Sequence, residues 1–586
     1  MKHLLKLSLL FTIMLIIPIF GQDNILVKID KIYPEKLIVE GFKLNSDQKL
    51  DIEVVGLHRE EKGRELIFGT AWILNAETRE VSWQMKTEEF RGRRSNIQES
   101  KEEINLPSGN YEVYYSSYPY FGHHDNWHYK KNRGVSSYIS DFFDMIFEGR
   151  YRDGDYDERI YREFKIIVEG NGIKLNDAEL SKFQEKSFES SDISLHAEKD
   201  NLYLTQGFEL KDKTNLNIQT SGEARDDGNF DYGWIVDTKT RKKVWGFDFH
   251  YSERSGGAVK NRTLSETISL PAGRFAVIYI TDNSHSPYEW NSTPPYNPTF
   301  WGITIRIEDP EQKRNLKKFD YHNFKEEDIV FSLTRMRDDD FDSKGFSIKK
   351  PMNLRIYAIG EGRDGEMFDY GWIVDAKTHK TVWEMDFYET EHAGGAQKNR
   401  IIDTIISLEK GNYILYYVTD GSHSFRDWNA SQPFDTKNWG ITILAADNNF
   451  SRKNIEDYNE EEDQNGLSKI TGIRDDEYKR AKFTLEKDTE IRIYALGEGI
   501  RGEMYDYGWI ENANTGRTVW EMTYRKTDHA GGADKNRIYN DTILLKAGNY
   551  IVFYESDDSH SFNSWNDSPP RDPMNWGISL YLTNNE

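Results

Sequence analysis

One polar constellation recurs three times along this chain. Asp231, Asp369 and Asp506 each open an Asp-Tyr-Gly triplet, and each follows a glutamate (Glu223, Glu361, Glu498) by eight residues. Asp282, Asp420 and Asp557 each stand three residues before a histidine, His285, His423 or His560, inside Ser-His-Ser. Lys260, Lys398 and Lys535 open Lys-Asn-Arg. His392 and His529 open His-Ala-Gly-Gly-Ala, where the earlier copy has Ser255. Trp290, Trp428 and Trp565 each precede an asparagine, with Ser or Thr two places further on.

Three kinds of chemistry fit these residue types. Carboxylates and imidazoles ligate divalent cations. An aspartate beside a histidine can serve as a base and its orienter. The same side chains can also satisfy backbone groups that a sheet leaves unpaired at its loops. The spacing matches no known ligand signature, and a first, divergent copy has Gly69 where the aspartate belongs. No copy carries a G-x-S-x-G nucleophile turn, and several near-identical active sites on one chain would be unusual. The hydrogen-bonding reading leads. His423 between Ser422 and Ser424 fits a loop knot, and Gly394-Gly395 fits a close backbone approach.

If the constellation binds a ligand, the site is the loop end holding Asp369, His392, Lys398, Asp420, His423 and Trp428, with the matching sets in the other two copies. Lys398-Asn399-Arg400 is a basic island that either pairs with acidic loops nearby or grips an anionic group. Trp428 and its counterparts either stack on a sugar or partner, or cap an open end of the domain. The Trp-Asn-x-Ser/Thr runs also match a glycosylation acceptor, which means little in a bacterial protein.

The elements that must position these residues are repeats. Trp72/Trp83, Trp234/Trp245, Trp372/Trp383 and Trp509/Trp520 are each 11 apart, and so are Trp290/Trp301, Trp428/Trp439 and Trp565/Trp576. The last three copies are offset by 138 and 137 residues, and the first by 162, with extra sequence around Ser136–Glu158. A period this long gives each copy a core of its own. The expected domains are 22–170, 171–308, 309–447 and 448–586, behind a signal peptide at 1–21. The third copy reads as strands over Lys344–Lys349, Asn353–Ile359, Tyr370–Asp375, Val382–Tyr388, Asp403–Leu408, Tyr413–Thr419 and Trp439–Ala445, with a weaker one at Ile329–Met336. Short alternating strands between turn signals give an all-β chain of four tandem antiparallel β-sandwiches of jelly-roll or immunoglobulin-like type. Trp372, Trp383 and Trp439 are expected in the core. The polar connectors Asn171–Ser190, Asp309–Asp328 and Asn448–Asn465 are expected to act as spacers.

The framework Phe346–Ile348, Leu354–Ile356, Trp372–Trp383, Leu408–Tyr413 and Trp439–Ile443 resembles the pre-peptidase C-terminal type of β-sandwich. That resemblance implies an exported, tandem, non-catalytic module of the kind appended to secreted bacterial enzymes. The His-Ala-Gly-Gly-Ala, Lys-Asn-Arg and Asp-x-Ser-His-Ser segments lie outside that family's pattern.

Totals narrow the partners. A formal net charge of −23 repels phosphate backbones, which excludes nucleic acid. With no cysteine there are no disulfides, thiolate metal sites or thiol nucleophiles. Lys2 and Lys6 precede an uncharged apolar run, Leu7–Phe20, that reads as a secretory signal cut near Gly21–Gln22. No later segment is apolar enough to span a bilayer. The reading is a secreted or periplasmic protein that leans non-catalytic. It binds a glycan or protein at the cell envelope or serves as a structural array, without a cofactor. Its alternative is a cation-dependent hydrolase or metal-binding protein using the Asp/His loops. The first copy, lacking Asp-Tyr-Gly and Asp-x-Ser-His-Ser, is expected to serve assembly or docking.

Overall fold

The computed structural model describes residues 24–33, 35–61, 64–86, 97–121, 162–189, 191–324, 328–446, 450–459 and 466–583. The expected signal segment and the Ser136–Glu158 insertion lie outside the described residues. The chain forms two compact units, Met1–Asn323 and Phe324–Glu586. Each unit holds two antiparallel β-sandwiches, so the chain is an all-β array of four. Among the described residues, no helix is long and apolar enough to cross a membrane.

Repeat three shows the plan. One sheet runs Ile329–Thr334, Gly440–Ala445, Met352–Arg363, Asn399–Leu408 and Glu391–His392, with Glu366–Met367 hooked onto Met352–Arg363. The facing sheet runs Lys380–Glu384, Tyr370–Asp375, Gly411–Val418, Phe341–Ile348 and Ile455–Asp457. Leu354, Ile356 and Ala358 alternate inward from the first sheet and meet Ile373, Leu415 and Phe346 from the second. Tyr417 crosses between the sheets, its hydroxyl donating to the Ile359 carbonyl at 2.5 Å. The expected strand through Tyr388 stops at Glu384 instead. Asp386 caps a short 3-10 turn, Phe387–Glu389, by accepting from the Tyr388 amide.

Two expectations change. The connectors do more than space the domains. Ile173–Leu175, Leu316–Phe319 and Ile455–Asp457 each add an edge strand to the sandwich before them. In repeats one and three, the first tryptophan of the pair is buried against the following repeat as well as against its own sandwich. In repeat one, Ala71 and Ile73 face the core, whereas Trp72 and Leu74 cluster with Tyr114 on the outer face, packed on Tyr296 of repeat two. A continuous apolar run in a strand means that both faces are covered, and here the next repeat covers one of them.

That covering contact has the same design within each unit. Trp72 donates from Nε1 to the Tyr296 carbonyl at 2.7 Å, and Trp372 to the Arg571 carbonyl at 2.6 Å. Seven residues beyond each tryptophan, a residue at positive φ reaches across: Arg79 (63°) to Asn297 at 2.9 Å, and His379 (58°) to Asp572 at 2.8 Å. Asp572 also accepts from Tyr494 and Tyr416 at 2.9 and 3.2 Å, and Asn575 donates to it as well. These donors hold its carboxyl below the usual range in spite of burial. Docking is therefore not peculiar to repeat one.

Candidate functional site

Four strand ends converge at one end of each of repeats two to four. In repeat three, Glu361 lies near the end of Met352–Arg363 and pairs in register with Asn399. Asp369 precedes Tyr370–Asp375, Asp420 follows Gly411–Val418, and Lys398 precedes Asn399–Leu408. Gly360 allows this closeness, since a Cβ there would lie 1.9 Å from the Asp369 carbonyl.

Glu361, Asp369 and Asp420 each offer a carboxylate oxygen, and the three lie within 4.8 Å of one another. Glu498, Asp506 and Asp557 repeat the arrangement. Asp369 is fully buried. Its Oδ1 accepts from the Asp420 amide at 2.9 Å and its Oδ2 from the Trp439 indole at 3.1 Å. Asp506 is held identically by the Asp557 amide and Trp576, both at 2.9 Å. Asp420 Oδ1 accepts from the Ser422 amide, which turns the loop back toward His423. Lys398 Nζ donates to Glu361 Oε1 at 2.9 Å and to Asn429 Oδ1 at 2.7 Å, and Lys535 binds Glu498 and Asn566 in the same way. The other glutamate oxygen, Oε2 of Glu361 and of Glu498, is buried with no hydrogen-bond partner.

Three carboxylates thus face one ammonium in a site whose glutamate and first aspartate are buried and whose Asp420 and Lys398 are half-buried. Burial pushes the Asp369 carboxyl well above its ordinary range, and the Asp420 and Glu361 charges add to this. Burial, with the Asp557 and Glu498 charges, pushes Asp506 to about 8. Glu361 and Glu498 are raised by burial against the pull of their lysines. Such a cluster gains by taking up a proton or a cation.

The histidines belong to a different assembly. Asn399, fully buried, spends both amide protons on the Gly394 and Ser431 carbonyls, at 2.7 and 2.9 Å. Its oxygen therefore accepts from His423 Nε2 at 2.6 Å. His423 sits edge-on to Trp428 and Trp439, with centroids 5.1 and 5.8 Å away. Trp428 meets Trp439 at 4.9 Å and 89°, so its ring caps the end of the sandwich. His285–Asn261 and His560–Asn536 make the same 2.6 Å bond, with Trp290 and Trp565 in the place of Trp428. Burial, then the nearby lysine, lowers His423 to about 3 and His560 to about 4. His285 falls well below its usual value for the same reasons. Gly395, at φ 67°, lies where a Cβ would be 1.9 Å from the Gln432 carbonyl, which explains the glycine pair.

The remaining candidates separate from the cluster. His392 and His529 are on short edge strands, and each bonds a carbonyl of its own loop, Ala396 or Ala533, at 3.0 Å. The residue equivalent to His392 in repeat two is Arg254, not Ser255. Arg254 opposes Arg262 as His392 opposes Arg400. In repeat two, Lys260, Glu223 and Asp231 are all buried, and Lys260 bonds Glu223 at 3.1 Å and Asn291 at 2.6 Å. Asp231 and Asp282 keep the amide bond at 2.8 Å. Among the described residues, only the triads of repeats three and four close to cation-holding distance. Sequence reasoning passed over Asn399, the hub of the knot. It also passed over Asp572, whose signal was its fixed place four residues before Trp576.

No protein-family model matches this sequence, and no curated protein matches it. The pre-peptidase C-terminal likeness thus rests on the all-β framework alone. Among solved structures, the chain is similar to the CUB1-EGF-CUB2 domains of rat MASP-1 at 8% identity, over 42% of this chain and 92% of that one, with a TM-score of 0.13.

Proposed function

We propose that this is an exported, non-catalytic binding protein whose third and fourth repeats each take up a divalent cation. The observation that carries the reading is the pair of triads, Glu361–Asp369–Asp420 and Glu498–Asp506–Asp557, each with a buried glutamate oxygen lacking a partner. All the donors are oxygens, and a flexible oxygen cage suits Ca²⁺ better than a soft metal. The ion ties the strand carrying Glu361 to the loop that begins at Asp420. That loop leads through Ser-His-Ser to Trp428 and Asn429. Its firm closure presents an ordered loop end to a glycan or a protein at the cell envelope.

The hydrolase alternative has less support. His423, His560 and His285 are spent on asparagine and enclosed by tryptophan, so none of the three histidines serves the carboxylates as a partner base. Elemental analysis of the purified chain, followed by glycan-array binding with and without Ca²⁺, tests the reading. Two calcium ions per chain and array binding lost on chelation are expected. Absence of bound metal after dialysis against Ca²⁺ overturns the cation sites. Array binding indifferent to chelation overturns their link to recognition.

A further inference from the structure

We infer that the outer face of the smaller sheet of repeat four docks a protein partner through an arginine-bearing loop. The face that joins repeat three to repeat four shows what such a face receives. Arg571 gives its carbonyl to Trp372, lays its guanidinium 5.9 Å from the Tyr370 ring centre and forms an ion pair with Glu384. Repeat four keeps each of these receiving groups on its own sheet, as Trp509, Tyr507 and Glu521.

Within the Phe324–Glu586 unit, no described residue fills that place. Trp372 is fully buried, whereas Trp509 is only half-buried, and its ring neighbours Tyr478, Tyr507 and Phe553 all belong to repeat four. Trp509 is stacked flat on Phe553 at 5.0 Å, and its Nε1 turns back to Glu511 at 3.0 Å. Tyr478 beside it is 56% exposed. The chain's own reaching residue is also gone, because Gly516 stands where Arg79 and His379 stand in repeats one and three.

Charge selects the occupant. Glu511 and Glu555 replace Val374 and Val418 of repeat three, and Glu521 makes a third carboxylate at the aromatic face. Aromatic rings beside carboxylates suit a guanidinium, which stacks on the one and forks onto the other. A second copy of a chain with net charge −23 meets repulsion at this face. A basic protein loop does not.

The probe is a blocked peptide of this chain's own docking loop, Pro569–Asn575, together with its R571A version. It is added to the full chain carrying fluorotryptophan, with the Trp509 resonance assigned from W509F. The Arg peptide is expected to shift the Trp509 resonance saturably, with Kd on the order of 1 mM or below. The shift should weaken at least about fivefold with the R571A peptide and in E521Q, a conservative surface change. Four results overturn the inference. One is no shift of Trp509 at several times that concentration. The second is an equal shift from the R571A peptide. The third is concentration-dependent self-association abolished by W509F, which makes the occupant a second copy. The fourth is a Trp509 resonance already shielded from solvent quencher in the free chain, which makes the occupant part of this chain.

Discussion

His423 donates from Nε2 to the side-chain oxygen of Asn399 at 2.6 Å, and neither side chain is exposed to solvent. The bond ties the Ser-His-Ser loop to the strand that begins with Lys-Asn-Arg. The loop histidine, at φ 59°, thus serves as a structural strut. Replacing it removes a buried ring from between two tryptophans and leaves the Asn399 oxygen unpaired. H423A should cost about 2–4 kcal/mol. Thermal unfolding of the Phe324–Glu586 unit checks this. Calcium stoichiometry should be unchanged in the folded variant, because His423 is outside the triad.

The glycine pair makes a second prediction. G395A adds a Cβ where the Gln432 carbonyl stands, at a φ that disfavours any side chain. The variant should lose at least about 2 kcal/mol, measured by denaturant titration. G516A is the control, since nothing lies within 4 Å of that position and only the positive φ opposes it. It should cost about 1 kcal/mol.

The junction of repeats three and four predicts cooperativity. Asp572 is buried among His379, Tyr494, Tyr416 and Asn575. D572A leaves several buried donors unpaired and should cost about 3–5 kcal/mol. Calorimetry should show the single transition of the Phe324–Glu586 unit splitting into two.

Stability should depend on pH with two opposite slopes. His423 and His560 are held down to about 3 and 4, below their ordinary value. Their contribution is complete above the ordinary histidine pKa and is lost as pH falls toward those values. Asp506 is held up at about 8. Its contribution is complete below the ordinary aspartate pKa and is lost as pH rises toward 8. Between about 6.5 and 8 only the carboxylate slope remains, so metal-free protein should lose stability with rising pH there. Calcium should flatten that slope, because cation uptake displaces the proton that the folded carboxylate would otherwise hold. Melting curves across this range, with chelator and with calcium, provide the check.

Much of this architecture was legible in the sequence because tryptophan spacing survives divergence. Strand positions in repeat three followed from alternation, and the end-of-sandwich location of the constellation followed from where the polar residues interrupt it. Three features were not legible. Trp372 reads as core because burial by a neighbouring repeat leaves the same apolar signature as burial inside a sandwich. His423 and Asp369 recur together, yet they serve separate assemblies, and only the antiparallel register separates a knot on Asn399 from a triad with Glu361. The edge strand Ile455–Asp457 lies in an acidic segment too short to show alternation, and it is held by backbone pairing, the buried Ile455 and ion pairs of Glu456 and Asp457 with Lys349 and Lys344.

The central claim is tested most directly by calorimetric titration of the chelator-treated full chain with calcium chloride. The account predicts two calcium sites, one lost in D420N and the other in D557N, each substitution keeping the amide-accepting oxygen of the loop. Saturation at about a hundredfold over Kd should stabilise each holding repeat by about 2.7 kcal/mol. A chain that takes up no calcium, or whose calcium sites survive both substitutions, would contradict it.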